Sequence, residues 1–317
     1  MVLLTPERLL KLAYHYPDLH NTWYIITTSA LLELNLIDEI PIVLHFALRQ
    51  QLFEFSTDEE SITKNEYMIK LAEDSILSSQ HCVKMYKTGV KIPDVLIPLA
   101  YYKKMPLNYK YTRGEDINRK QQFIVLQINE VILKLASMCG LPRVINGLTI
   151  LKAATPTRLS QHVLRRIDEV KIIPDDPNGV ETIDGPISSS SIDTKVVKSN
   201  LIRGSKLWDS IYTKGVNIKI KKQMINANPD LWYFVYNHIY SYLLSYNEIL
   251  TVKKTSLAII ACLIIQDVPP QLKGHLKGAL NIGTSKEEIS HTQKMVLQIC
   301  EWYGRTWKDG VNSLAKL

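Results

Sequence analysis

Helical periodicity dominates this chain, and the two-residue alternation of strands is scarce. The opening TPERLLKLAYHYP sets Thr5 as a helix cap and Pro6 in the first turn, with Leu9, Leu10, Leu12 and Ala13 supplying apolar faces. Thr22 to Leu36 reads as an almost wholly apolar helix, and Asp38 to Phe53 as a second with Pro41 in its first turn. A longer helical region runs from Asp58 to Lys87 and closes at Gly89. Gln121 to Met138 is strongly helical, stops at Cys139-Gly140, and gives way to a helix opened by Leu141-Pro142. From about Ile172 to Lys195 the character changes to Pro, Gly, Ser and Asp with no helical period, as in a linker or long surface loop. The pattern then resumes: LIRGSKLWDSIYTKG, NPDLWYFVYNHIYSYLLSY with Asn228 as cap, KKTSLAIIACLII, PPQLKGHLKGALNIG, and TSKEEISHTQKMVLQICEWYG with a Thr284–Glu287 capping box. The fold expected is all-α, in two helical halves. A divergent N-terminal half spans 1–155, a linker or long loop 156–196, and a second helical domain 197–317.

Composition narrows the classes. At 317 residues, 46% of them hydrophobic, the chain can bury a sizeable core. It holds no run of the roughly eighteen consecutive apolar residues that a spanning helix needs. The net charge of +7 is scattered, and its densest cluster, Asn217 to Lys222, is short. With no zinc-finger or RNA-binding signature, nucleic acid is not an expected partner. The cysteines, Cys82, Cys139, Cys262 and Cys300, form no CxxC and share no metal-ligand spacing with histidine. Sequence spacing therefore points to no metal site, and no cofactor fingerprint is present.

The richest chemistry lies between Pro269 and Gly304. Gln271 and His275 are one helical turn apart and share a face. Small residues beside the histidine (Gly274, Gly278, Ala279) allow close approach by a helix or ligand. Histidine is the side chain best poised for proton transfer near neutrality. His81…Gly89 and His275…Gly283 repeat one spacing, and a long helix and a glycine follow each, which suggests an internal duplication.

QLKGHLKGALNIGTSKEEISHTQKMVLQICEWYG resembles the core motif of the carboxymuconolactone decarboxylase family, in the alkylhydroperoxidase D-like superfamily. The likeness extends through RGSKLWDSIY, Asn228-Pro229-Asp230-Leu231 and KKTSLAII over about 201–317. INEVILKLASMCGLPRVINGLTILKAATP is similar to the ending seen in fungal members. The resemblance implies two such halves, a homo-oligomer, and no cofactor. It also separates two chemistries. The peroxidase branch has a CxxC and a glutamate where this chain has Val268, Gln271 and Ser256, so a peroxidase-type antioxidant activity is the least expected. The decarboxylase branch keeps the histidine, and Ser256 is compatible with it. That branch has an acidic residue at Gln271, an arginine at Thr255 and a Trp-Gly pair at Tyr240-Ser241. Lys253 or Lys254 would have to substitute for the arginine as point charges. The expected activity is proton transfer of decarboxylase or isomerase type on a small anionic metabolite, with His275 as acid or base and Gln271, Ser256 and Lys254 around it. The alternative is a catalytically degenerate binding or assembly protein of the same fold.

Ala315-Lys316-Leu317 approaches the C-terminal Ser-Lys-Leu address read by the peroxisomal import receptor. It makes that receptor the expected partner and the peroxisomal matrix the expected location. With only Val311 and Leu314 left as anchors, the segment is expected to fray. The N-terminal Arg8-Leu9…His15 is a weaker match to the second type of peroxisomal signal and reads better as an amphipathic helix.

Overall fold

The computed structural model describes residues 3–53, 59–105, 115–160, 172–175, 180–183, 194–311 and 314–315. The chain opens with α1 (Pro6–Tyr14), α2 (Trp23–Glu33) and α3 (Ile40–Gln50), then α4 (Glu59–Thr63) and the long α5 (Glu66–Tyr86). The short α6 (Leu99–Tyr102) precedes α7 (Glu115–Lys134), α8 (Ala136–Cys139), α9 (Leu141–Ala154) and α10 (Thr157–Ser160). After a hairpin come α11 (Thr194–Ile211), α12 (Lys214–Ala227) and α13 (Pro229–Phe234), which runs into a π-helical stretch, Val235–Leu244. The last three helices are α14 (Val252–Gln266), α15 (Pro269–Asn281) and α16 (Lys286–Tyr303). The fold is all-α.

The hairpin is the exception among the described residues. β1 (Ile172–Asp175) and β2 (Val180–Ile183) pair antiparallel, with Ile172 opposite Ile183, inside the segment expected to be an open loop. The intervening sequence Asp-Pro-Asn-Gly is of turn-forming type, and the sequence on either side is rich in β-branched residues. These signals are short and were outweighed by the surrounding Ser and Pro.

Two helices sit at the centre, packed on one another. Every residue of α2 from Trp23 to Leu32 is buried, as is every residue of α14 from Thr255 to Ile265. A helix apolar on all sides has no solvent face to offer, so it must lie inside. Each fully buried Leu or Ile there contributes about 1.5–3 kcal/mol. Residues from both sides of the hairpin share this core. Asn35 and Asp267 are the positive-φ residues other than glycine among the described residues, and they close the two central helices. Leu36 N bonds to Leu31 O and Asn35 N to Leu32 O, the paired bonds of a left-handed C-terminal cap. Each central helix is followed by one with proline in its first turn, α3 and α15. His81 lies exposed on α5, the second helix after α3.

Local signals hold at several ends. Thr5 Oγ1 accepts from Arg8 N, and Asn228 Oδ1 from Asp230 N. The last capping box is displaced by one residue: Ser285 Oγ accepts from Glu288 N, and Glu288 Oε2 accepts from Ser285 N. The sequence TSKEE contains two overlapping boxes. Thr284 is buried, with its N–H committed to Ala279 O, which leaves Ser285 to cap. The helical region expected from Asp58 is interrupted at Asn65, whose side chain caps α5.

By length and composition, Ile117–Cys139 could cross a membrane. In this fold it lines the core, and its polar side chains bond to neighbouring segments: Gln121 Nε2 to Leu48 O, Gln127 Nε2 to Ile249 O, Lys134 Nζ to Leu244 O. The described residues near the C-terminus have more anchors than expected. Trp307 Nε1 donates to Ile264 O at 2.7 Å, Leu314 is buried, and Ala315 O accepts from Gln293 Nε2. Val311, expected as an anchor, is exposed. Lys316 and Leu317 lie outside the described residues.

Candidate functional site

The site forms where α11 is held between the π-helical stretch and α15. Gly204 makes the first crossing possible: a Cβ there would stand 2.5 Å from Ser241 Cα and 2.2 Å from Ser241 Oγ. No side-chain rotation relieves a clash with backbone, so the helices would have to part. Gly204→Val is expected to destabilise the fold by about 1–3 kcal/mol and to open the site, read as a lower urea midpoint together with a changed tryptophan emission. At the second crossing Asn281 Nδ2 donates to Ile211 O at 2.8 Å.

Sequence periodicity gave an α-helix through Val235–Leu244, whereas the structure has the wider π form. Hydroxyl groups absorb part of the difference. Ser241 Oγ donates to Tyr236 O and Ser245 Oγ to Ser241 O, at 2.8 and 2.6 Å. Such widened turns recur at functional sites. Here the turn brings Tyr240 inward, where its hydroxyl lies 3.2 Å from that of Tyr212. Trp208 packs against both rings, with centroids at 4.6 and 4.5 Å. Burial holds the Tyr240 phenol well above its ordinary pKa, reinforced by Tyr212, and burial likewise raises Tyr212. Both are neutral hydrogen-bond donors near pH 7.

Tyr240 separates two cavities. On one side is a cleft of ≈ 340 Å³, walled by Trp208, Tyr212, Met224, Leu231 and Tyr240, with Gln271 at its edge. None of its lining side chains is charged. On the other is a cavity of ≈ 10 Å³ that holds His275 with Ser256, Thr255 and aliphatic side chains such as Leu207 and Ile211. Burial pushes the His275 pKa down to about 4, so the imidazole is neutral at physiological pH. It can accept a proton there but has none to give as a cationic acid. Its ring lies 6.4 Å from that of Tyr212.

The expected site residues are thus partly assembled. His275 and Ser256 share the small cavity, and Gln271 lines the adjoining cleft. Lys254 faces another way. Its Nζ lies 3.3 Å from Gln127 Oε1 and 5.9 Å from the centroid of the Tyr24 ring, and burial lowers its pKa to about 8. Lys253 is exposed. The cation beside Thr255 is Lys134 from α7, whose Nζ donates to Thr255 Oγ1 at 3.0 Å, to Leu244 O at 3.0 Å and to Tyr246 O at 2.5 Å. Sequence reasoning missed Lys134, and it missed the Trp208–Tyr212–Tyr240 cluster. The repeats Trp208/Tyr212 and Trp232/Tyr236/Tyr240, each four residues apart, were the available signal for an aromatic face.

Two curated proteins are similar to this chain. One, called Peroxisomal protein 2, from Saccharomyces cerevisiae, is 33% identical over 319 residues, covering 98% of this chain and 99% of its own length. Another of that name, from Schizosaccharomyces pombe, is 30% identical over 188 residues, covering 59% of this chain and 75% of its own. No family model matches the chain, and no solved structure matches it significantly.

Proposed function

Because the chain belongs to the Peroxisomal protein 2 family and is a peroxisomal protein, we propose that it acts in the matrix on a small, largely apolar metabolite, with neutral His275 as the proton acceptor. The observation that carries this reading is the shared wall: Tyr240 lines both the cleft and the cavity holding His275 and Ser256. A ligand carbonyl in the cleft would take hydrogen bonds from the Tyr212 and Tyr240 phenols. A proton would leave the ligand for His275 through a single water, since the small cavity is about one water in size. A half-buried imidazole whose pKa is lowered to about 4 is a weak base. The ion pair it forms is short-lived, and the proton is best returned to another atom of the same ligand. That favours isomerisation among the proton-transfer reactions. The uncharged lining favours a hydroxyl- or carbonyl-bearing compound over an anionic one.

The reading extends to ancestry. Residues 197–317 are proposed as a carboxymuconolactone decarboxylase-like domain, on the strength of the helical His275, the Gly283 turn and the capped α16 ending at Gly304. A second reading, binding without chemistry, draws on His275 itself, which has no hydrogen bond to a described residue that would fix its tautomer. Ala227, at the end of α12, also lines the cleft, and narrowing it with Ala227→Trp is expected to reproduce the metabolite profile of cells lacking the protein under either reading. An unchanged profile removes the cleft from the account.

Ala315-Lys316-Leu317 is proposed as the import address. Since Ala315 O is held by Gln293 Nε2, recognition would rest mainly on Lys316 and Leu317. A fluorescent protein fused ahead of the native chain is expected in peroxisomes and, after loss of Leu317, in the cytosol. Unchanged peroxisomal signal without Leu317 would reject the address.

A further inference from the structure

Away from the cleft, the fold assembles three metal-capable side chains that are far apart in sequence. Cys139 comes from α8, Cys262 from the middle of α14, and Glu33 from the last turn of α2. Their ligand atoms all lie within 4.8 Å of one another. We propose that Cys139, Cys262 and Glu33 bind a zinc-like divalent cation at the seam between the two central helices and α8.

Geometry supports a metal of this size. The two sulfurs are 3.8 Å apart. Two thiolates on one tetrahedral zinc, each at about 2.3 Å, stand about 3.8 Å from each other. The carboxylate needs a shift of roughly 1 Å to reach the shorter oxygen–sulfur edge of that tetrahedron. Both cysteines are buried and neither is in a disulfide. A donor set of two sulfurs and one carboxylate oxygen selects zinc and its softer neighbours over magnesium or calcium.

The surroundings already resemble an outer shell. Arg143 Nη1 contacts Glu33 Oε1 at 3.2 Å and Glu33 O at 2.8 Å. Gln266 Nε2 donates to Glu33 Oε2 at 3.2 Å and to Met138 O at 3.0 Å, so it ties the carboxylate to the turn that carries Cys139. Partners of this kind orient ligating groups and tune affinity. Charge also closes: two thiolates and a carboxylate around a dication leave one negative charge, which the Arg143 guanidinium offsets. Three protein ligands leave one position for water, and the partly exposed Arg143 marks the side from which water would enter. Spacing offered no warning of the site, because the cysteines are 123 residues apart.

The full chain, reduced and freed of metal by a chelator, would be titrated anaerobically with Co²⁺ and followed by absorption. Thiolate-to-cobalt charge-transfer absorption saturating at one equivalent, and bleached by Zn²⁺, is the expected result. Cys139→Ser and Cys262→Ser should each abolish it, while Cys82→Ser and Cys300→Ser keep it. Arg143→Gln should weaken the affinity by about 10–100-fold. Absence of the band in the reduced wild-type chain overturns the proposal, and that measurement needs no variant to fold. Persistence of the band in both Cys139→Ser and Cys262→Ser overturns it as well. So does a Cys139–Cys262 disulfide whose reduction restores no metal uptake, because the pair is then a redox couple.

Discussion

Lowering the pH from 7 to 5 is expected to remove several kcal/mol of folding stability, because three histidines are held neutral in the native state. His45 shows the cause most clearly. It is fully buried on α3, with Nε2 2.9 Å from Ala154 O and Nδ1 2.8 Å from Ser78 Oγ. A carbonyl can only accept, so Nε2 carries the proton and Nδ1 accepts from the serine hydroxyl. A second proton would make Nδ1 a donor toward a hydroxyl oxygen that already accepts from Arg49 Nη2. Burial is the main reason that its pKa falls to about 4, and the nearby Arg49 guanidinium adds to the fall. Burial alone takes His20 and His275 to about the same value. Unfolded, each titrates near 6.5, so below that pH the unfolded chain binds more protons than the folded one. The stability from keeping them neutral is complete above about pH 6.5 and is lost as the pH falls toward 4. Between pH 7 and 5 each histidine forfeits about 2 kcal/mol, against a total stability on the order of 5–15 kcal/mol. Urea midpoints at the two pH values measure this. His45→Gln should be less stable at pH 7 yet lose less on acidification, whereas equal midpoints at pH 7 and 5 would refute the assignment.

Lys134→Met is expected to cost about 3–5 kcal/mol, the largest effect of any single change outside the apolar core. The Lys134 side chain is almost completely buried and lies 3.8 Å from the equally buried Glu130 carboxylate. Its ammonium holds the Leu244 and Tyr246 carbonyls and the Thr255 hydroxyl. It thereby fastens α7 to the end of the π-helical stretch and to the first turn of α14. Methionine fills similar space but removes the donor to three oxygen atoms and the cation nearest the Glu130 carboxylate. Lys134→Met with Glu130→Gln should recover part of the loss, because the carboxylate that faced the ammonium loses its charge. Chemical denaturation of the single and double variants measures the difference. A double variant no more stable than Lys134→Met would show that Glu130 plays no part.

Local structure was legible wherever a short-range signal had no competitor. Thr5-Pro6, Asn228-Pro229 and the wholly apolar α2 and α14 each allow one low-energy arrangement, and the fold adopts it. Where two signals overlapped, as in TSKEE, tertiary burial of Thr284 decided between them. The π-helical widening at Tyr240 was not legible, since it sits against Gly204, which meets Ser241 from 37 residues earlier in the chain. The candidate site was half legible. Helical spacing put His275 on one face with Gly278, which Ile211 approaches closely, but it could not show that Lys254 turns toward Tyr24 and Gln127. Nor could it show that the cation at Thr255 arrives from α7. These are contacts between segments more than 100 residues apart, and periodicity within one helix carries no information about them.

The most direct measurement of the central claim is the metabolite profile of cells in which His275→Gln replaces the wild-type chain. Glutamine retains most of the side-chain volume and hydrogen-bonding capacity but cannot take up a proton. If neutral His275 accepts a proton from a ligand in the Tyr240 cleft, these cells should accumulate the same compound as cells lacking the protein, while folded protein remains in their peroxisomes. A profile identical to that of wild-type cells, with the Ala227→Trp profile still altered, would contradict proton transfer at His275 and leave a cleft that only binds.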